Sequence, residues 1–300
     1  MRRVLFVLFC LVAAAAGTTL VAVAPPAAAQ AVPADDPARG LVYQGLRRGA
    51  TGSRCEGAFE IVSRLRAPAA QQRLRCTHGP DPIPADLDLR PGQDPAFRTG
   101  PASPGEAETT AAEAGTVPCY GTGTDGYRVQ LVYAREAGTP DRYPELEASF
   151  RTWAARVDDV FNSSAAQTGG IRHVRYVTDA QCRPMIHRMT LSAAAVEDFA
   201  VHLDELDTAG LDRVDRKYLV WVDTQRTTYC GIAILYDDVS GGSAPGGNIH
   251  NGDLGYPPMV GRVDTRCWGQ ARPAEAHELM HTMGGVQPEP GPKAPAARRR

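Results

Sequence analysis

The chain is expected to fold as an α/β (α+β) protein: a sheet flanked by helices, with a small disulfide-bonded segment in front of it. Three observations carry this expectation. Strand-like and helix-like stretches alternate between residues 119 and 287. Tyr218-Leu219-Val220-Trp221-Val222 is a continuous apolar run of the kind that fills a strand covered on both faces. A close cysteine pair, Cys55 and Cys76, sits in a Pro-rich segment ahead of the alternating region.

Composition bounds the class. Of 300 residues 43% are apolar and 22% charged, enough for a sizeable core and against disorder of the whole chain. A net charge of −2 lacks the basic excess of a dedicated nucleic-acid binder. The 30 Gly and 24 Pro show no period, which excludes a collagen-like chain, and no solenoid repeat is found.

Residues 1–29 read as a signal peptide. Arg2 and Arg3 form a positive start, residues 4–12 are an apolar run, and Ala27-Ala28-Ala29 offers an A-x-A site before Gln30. The competing reading is an uncleaved anchor over residues 4–24, against which stand Thr18, Thr19, Pro25 and Pro26. Cys10 lies inside the apolar run, so a lipoprotein is not expected. The expected product is secreted and free of the membrane. Loss of Cys10 leaves six of the seven cysteines, Cys55, Cys76, Cys119, Cys182, Cys230 and Cys267, an even number that implies disulfides. Proximity points to Cys55–Cys76; the other four are left unassigned.

The mature chain divides into residues 30–98, small and loop-rich; a Pro/Ala/Gly/Thr/Glu linker over 99–118; the main domain over 119–287; and a Pro/Arg-rich tail over 288–300. In the first part, Cys76-Thr77-His78-Gly79-Pro80-Asp81-Pro82 reads as surface turns, with His78 expected to be structural beside the disulfide. In the main domain, alternation of Tyr127, Val129, Leu131 and Tyr133 predicts a strand. Leu146, Phe150, Trp153, Val157, Val160 and Phe161 predict a helix stopped by Gly169-Gly170. Residues 171–177 are expected as a second strand. Ser192 should cap a helix with the face Val196, Phe199, Leu203 and Leu206, ended at Gly210. The buried 218–222 run follows, then a strand over 230–236 and a Gly-rich loop over 240–247.

Ala276-His277-Glu278-Leu279-Met280-His281 contains H-E-x-x-H. On a helix the two imidazoles share a face and can bind one zinc ion, while Glu278 is placed to act as general base on a water activated by it. Pro273 suits the first turn of such a helix and Gly284-Gly285 its end. His277 and His281 are therefore the expected Zn2+ ligands and Glu278 the expected catalytic residue. A serine hydrolase is not expected, for no G-x-S-x-G stands between a strand and a helix.

With these stretches the chain resembles secreted bacterial zinc metallopeptidase-like proteins of the zincin class over nearly its whole mature length. The resemblance rests on the Cys76–Pro82 stretch, Ser163-Ser164-Ala165-Ala166-Gln167-Thr168-Gly169-Gly170, Asp215-Arg216-Lys217-Tyr218, Cys267-Trp268-Gly269 and residues 276–287. It implies a zincin-like mixed sheet with an active-site helix, and an endopeptidase acting on polypeptide substrate. It also implies an edge strand that pairs with the substrate, for which residues 230–235 are the candidate. His250 and Asp253, in a polar loop, are further candidates to line the cleft or donate a ligand.

In the longer form H-E-x-x-H-x-x-G-x-x-H, Gly284 fits the turn glycine, but the last position is Gln287, and Glu289 is the one later carboxylate. A third ligand and a Met-containing turn are expected after the motif in such relatives. Their place is taken here by a Pro/Gly-rich tail, so the chain is read as C-terminally incomplete. The alternative function is accordingly a non-catalytic or truncated zincin-fold binding protein. Whether residues 30–98 are an inhibitory propeptide or a permanent module stays open. The signal reading has its own test: protein recovered from culture medium should begin near Gln30 by intact mass, and retention of Met1 would refute export by cleavage.

Overall fold

The computed structural model describes residues 31–62, 75–84, 115–213, 215–226, 229–235, 259–270 and 273–285. The expected signal peptide, most of the expected linker, the 240–247 loop, His250, Asp253, Gln287 and the tail with Glu289 lie outside the described residues. No helix among the described residues is long and apolar enough to cross a membrane.

The architecture is mixed α/β. Three short strands, β1 (Leu46–Arg48), β2 (Phe59–Ile61) and β3 (Arg75–Thr77), form an antiparallel sheet. The main sheet has the order β5-β4-β6-β8-β7, from β4 (Arg128–Glu136), β5 (Ile186–Leu191), β6 (Arg216–Asp223), β7 (Gly231–Ala233) and β8 (Met259–Asp264). All neighbours in it are parallel except β7, which runs antiparallel to β8 at the edge.

Helices cover both faces. Leu131, Tyr133, Leu219 and Trp221 face α1 (Tyr143–Ala166) and α4 (Ala274–His281), meeting Phe150, Trp153 and Leu279. Val132, Ala134, Val220 and Val222 face the other way, toward α2 (Ala193–Glu197) and α3 (Phe199–Thr208). Strand β6 is buried from end to end, as its apolar run requires. Val42, Leu46, Phe59 and Ile61 of the N-terminal part pack into the same core as α3. The small sheet is thus joined to the large one by apolar contact.

Three disulfides are formed: Cys55–Cys76, as proximity predicts, together with Cys119–Cys182 and Cys230–Cys267.

The structure corrects two expectations and adds a strand for which there was none. Residues 171–177 do not form a strand. Ile171 is 83% exposed and a lone bridge joins Tyr176 to Val129. The cause lies on α1, where Asp158 accepts the Val174 N–H at 2.6 Å and pairs with His173 Nδ1 at 2.8 Å, diverting that backbone from a ladder. The helix after Ser192 is two helices. Ser192 caps the first, and Asp198 interrupts the pair because its carboxylate accepts the Ala200 and Val201 N–H groups that open the second. Strand β8 had no expectation attached, since Gly261, Arg262 and Asp264 disfavour a strand. Inside the fold those charges satisfy each other: Arg262 donates to Asp264 at 2.7 Å and to the Ala195 and Val196 carbonyls.

Lys217 enters the interior from β6 and donates to the Thr282 carbonyl at 2.6 Å, just past the end of α4. Burial pushes its ammonium down to about 7. An unfolded lysine keeps its proton to far higher pH, so between these values the unfolded chain binds more protons and stability rises with pH. The slope from this group approaches ~1.4 kcal/mol per pH unit. Denaturant melts from pH 7.5 to 9.5 should show that rise, and Lys217→Met should flatten it; an unchanged slope in the variant would assign the effect elsewhere.

Candidate metal and catalytic site

Helix α4 carries the H-E-x-x-H residues and is tied down at both ends. Near its start, the buried Glu275 carboxylate accepts the Gly269 N–H at 2.9 Å and the Trp221 indole N–H at 3.1 Å. Beyond its end, the Lys217 bond holds Thr282, and Gly284 takes φ +81°, a left-handed turn that suits glycine. Ala276 and Leu279 face the core, and the opposite side carries His277, Glu278 and His281, with Glu278 against Gly231 of β7.

Glu278 is wholly buried. A Cβ on Gly231 of β7 would run into its carboxylate, and one on Gly261 of β8 would sit 3.0 Å from its carbonyl oxygen. The helix therefore comes this close only because both strand positions are glycine. Burial, and after it the charge of Asp81, lifts the Glu278 carboxyl well above the usual carboxylate range.

The two imidazoles meet edge to face, with Nε2 of His281 and Nε2 of His277 3.0 Å apart. Tetrahedral zinc with Zn–N near 2.0–2.1 Å sets two ligand nitrogens ~3.3 Å apart, so this spacing fits a shared ion. His281 is buried and the His277 side chain is 39% exposed, which leaves the pair open on one side.

Two further groups reach the site from the N-terminal part. His78 stacks on His281, with ring centroids 4.0 Å apart, and its Nε2 lies 3.4 Å from Glu278 Oε2. Asp81 stands between imidazoles: Oδ2 is 3.0 Å from His277 Nε2 and Oδ1 is 3.5 Å from His78 Nδ1. Its hydrogen bond with His277 raises the His277 pKa. Burial opposes the charged form of Asp81, but that bond and the facing imidazoles outweigh it and lower its carboxyl. Burial lowers His78. The metal-capable atoms fall into two trios, His78/Glu278/His281 and Asp81/His277/Glu278, each within 4.8 Å.

A short antiparallel run places these residues. Leu235 N–H donates to the Cys76 carbonyl at 2.8 Å, Thr77 bridges Ile234, and Asp81 N–H donates to the Gly231 carbonyl at 2.8 Å. The candidate substrate edge, residues 230–235, is thus paired along its outer side by the chain's own residues 76–81. Gly79, at φ +96°, makes the turn between His78 and Asp81, where a Cβ would strike Phe59.

His277, Glu278 and His281 thus lie together. His78, expected to be structural, is the third imidazole beside them, and Asp81 had no role assigned. The local signal for both was a His and an Asp in one Gly/Pro turn next to a cysteine. Comparison with known proteins finds no family model, no curated protein and no solved structure that matches this chain.

The glycine contact can be tested by substitution. Gly231→Ala must displace the Glu278 carboxylate and should destabilise by roughly 1–3 kcal/mol, as overpacking does. A denaturant midpoint equal to wild type would mean that Glu278 does not rest on β7.

Proposed function

We propose that the chain is a secreted zinc-dependent endopeptidase of zincin type, with His277 and His281 as zinc ligands and Glu278 as general base. The observation that carries the reading is a buried carboxylate of raised proton affinity beside two imidazole nitrogens that converge at zinc-ligand spacing. When bound, zinc lowers the pKa of a coordinated water toward ~7 and polarises a carbonyl oxygen. His277 and His281 orient that ion through Nε2. Glu278 takes a proton from the attacking water on its carboxylate and returns it to the departing amide nitrogen. The side left open at His277 is where the peptide backbone would approach.

A second reading, a zincin-fold protein that binds without cutting, is favoured by one feature: residues 76–81 already pair with the β7 edge where a substrate strand would add. The two readings part in one experiment. Purified wild type should contain one zinc per chain by elemental analysis and digest casein. Glu278→Gln should keep the zinc and lose ~10²–10⁴-fold of rate, the usual cost of a lost general base. His277→Ala and His281→Ala should each lose the metal. A zinc-loaded wild type without hydrolysis selects the binding protein, and unchanged zinc in both histidine variants would remove the motif from the metal site.

A further inference from the structure

We propose that His78 is the third zinc ligand, so that the N-terminal part is a permanent piece of the metal centre and not a removable cover. This rests on the zinc reading of His277 and His281. The first argument is spatial. Centroid separations among the three rings are 4.0 Å for His78–His281, 4.5 Å for His277–His281 and 6.1 Å for His78–His277. His78, Glu278 and His281 bring metal-capable atoms within 4.8 Å of one another. Three imidazoles on one tetrahedral ion would sit ~5 Å apart, so the His78 ring, stacked on His281 at 22°, must turn out of that stack to share the ion with His277.

The second argument concerns which nitrogen of His78 is available. Its Nδ1 faces Asp81 Oδ1 at 3.5 Å, while its Nε2 points into the site, 3.4 Å from Glu278 Oε2. At 3.5 Å the Asp81 contact is too long to fix the hydrogen on Nδ1, so what marks Nε2 as the metal-facing nitrogen is its place beside Glu278 and His281. Asp81 bonds instead to His277 Nε2 at 3.0 Å, and an ion on that nitrogen would take the place of this contact.

The third argument is how firmly the residue is held. Cys76, two residues before His78, is bridged to Cys55, and its carbonyl accepts from Leu235. Asp81, three residues after it, is bonded to Gly231 of β7. The backbone on either side of His78 is thus fixed to residues 231–235. Three imidazoles leave the fourth position of a tetrahedral zinc for water, the arrangement of a catalytic rather than a closed structural site.

The test is metal affinity of the full-length secreted chain, measured with zinc against a chromophoric chelator, with the visible spectrum of the cobalt-substituted protein as a second readout. His78→Ala should weaken zinc at least ~100-fold, beyond the range for loss of a supporting group, and shift the cobalt bands. His78→Asp should regain part of that affinity, because carboxylate oxygen also ligates zinc. Asp81→Asn should cost less than His78→Ala, within the ~10–100-fold range of a supporting group. Melting of the metal-free proteins checks the fold, and His78→Gln replaces the alanine variant if that one does not fold. Wild-type affinity in a folded His78 variant overturns the proposal, as does a larger loss from Asp81→Asn than from His78→Ala. A wild type that binds no zinc is a different failure and removes the zinc reading itself.

Discussion

A carboxylate leaves water only at a cost of several kcal/mol unless something compensates it, and Glu278 has left water entirely. The surrounding architecture follows from holding that group in place. Two strands give up side chains at Gly231 and Gly261 so that α4 can lie against them. The helix is pinned by Glu275 at its beginning and by the Lys217 bond beyond its end. Cys230, just before β7, is bridged to Cys267, seven residues before the helix begins, so the strand and the approach to the helix cannot part. Apolar layers on both sheet faces absorb the cost that the buried polar groups impose.

Local patterns were legible in the sequence wherever a local cause produced the element. The stripe from Leu146 to Val157 is α1, the apolar run at 218–222 is the middle of β6, and the nearest cysteine pair is bridged. Reading failed where a distant group decided. Asp158 takes the backbone of residue 174 and cancels a strand, and Arg262 and Asp264 are tolerated in β8 because they pair with each other. The site divides in the same way. H-E-x-x-H is one helical turn and can be read directly, whereas His78 meets Glu278 from 200 residues away. Gly231 and Gly261 carried a usable signal, since an isolated glycine in a strand often marks a close backbone approach.

The N-terminal part is tied to the main sheet in two ways, and they do different work. Val42, Leu46, Phe59 and Ile61 share the apolar core with α3, which contributes burial. The hydrogen bonds of residues 76–81 to residues 230–235 contribute register, and register is what sets His78 over His281 and Asp81 beside His277. A slip of one residue along the β7 edge would exchange the faces of this segment and take His78 off the site. The Cys55–Cys76 bridge lies next to this register and limits such a slip.

The proton balance of the site gives the arrangement its chemical sense. Burial and the Asp81 charge raise the Glu278 carboxyl, while the bond with His277 and the facing imidazoles outweigh burial and lower that of Asp81. A divalent ion among the imidazoles reverses the first of these conditions, since two positive charges nearby favour the carboxylate over the acid. Imidazoles ligate in their neutral form, so an ion bound there would compete with protons on the ligand nitrogens. Burial raises the proton affinity of Glu278, and an ion held by the proposed imidazole ligands would favour its charged form instead.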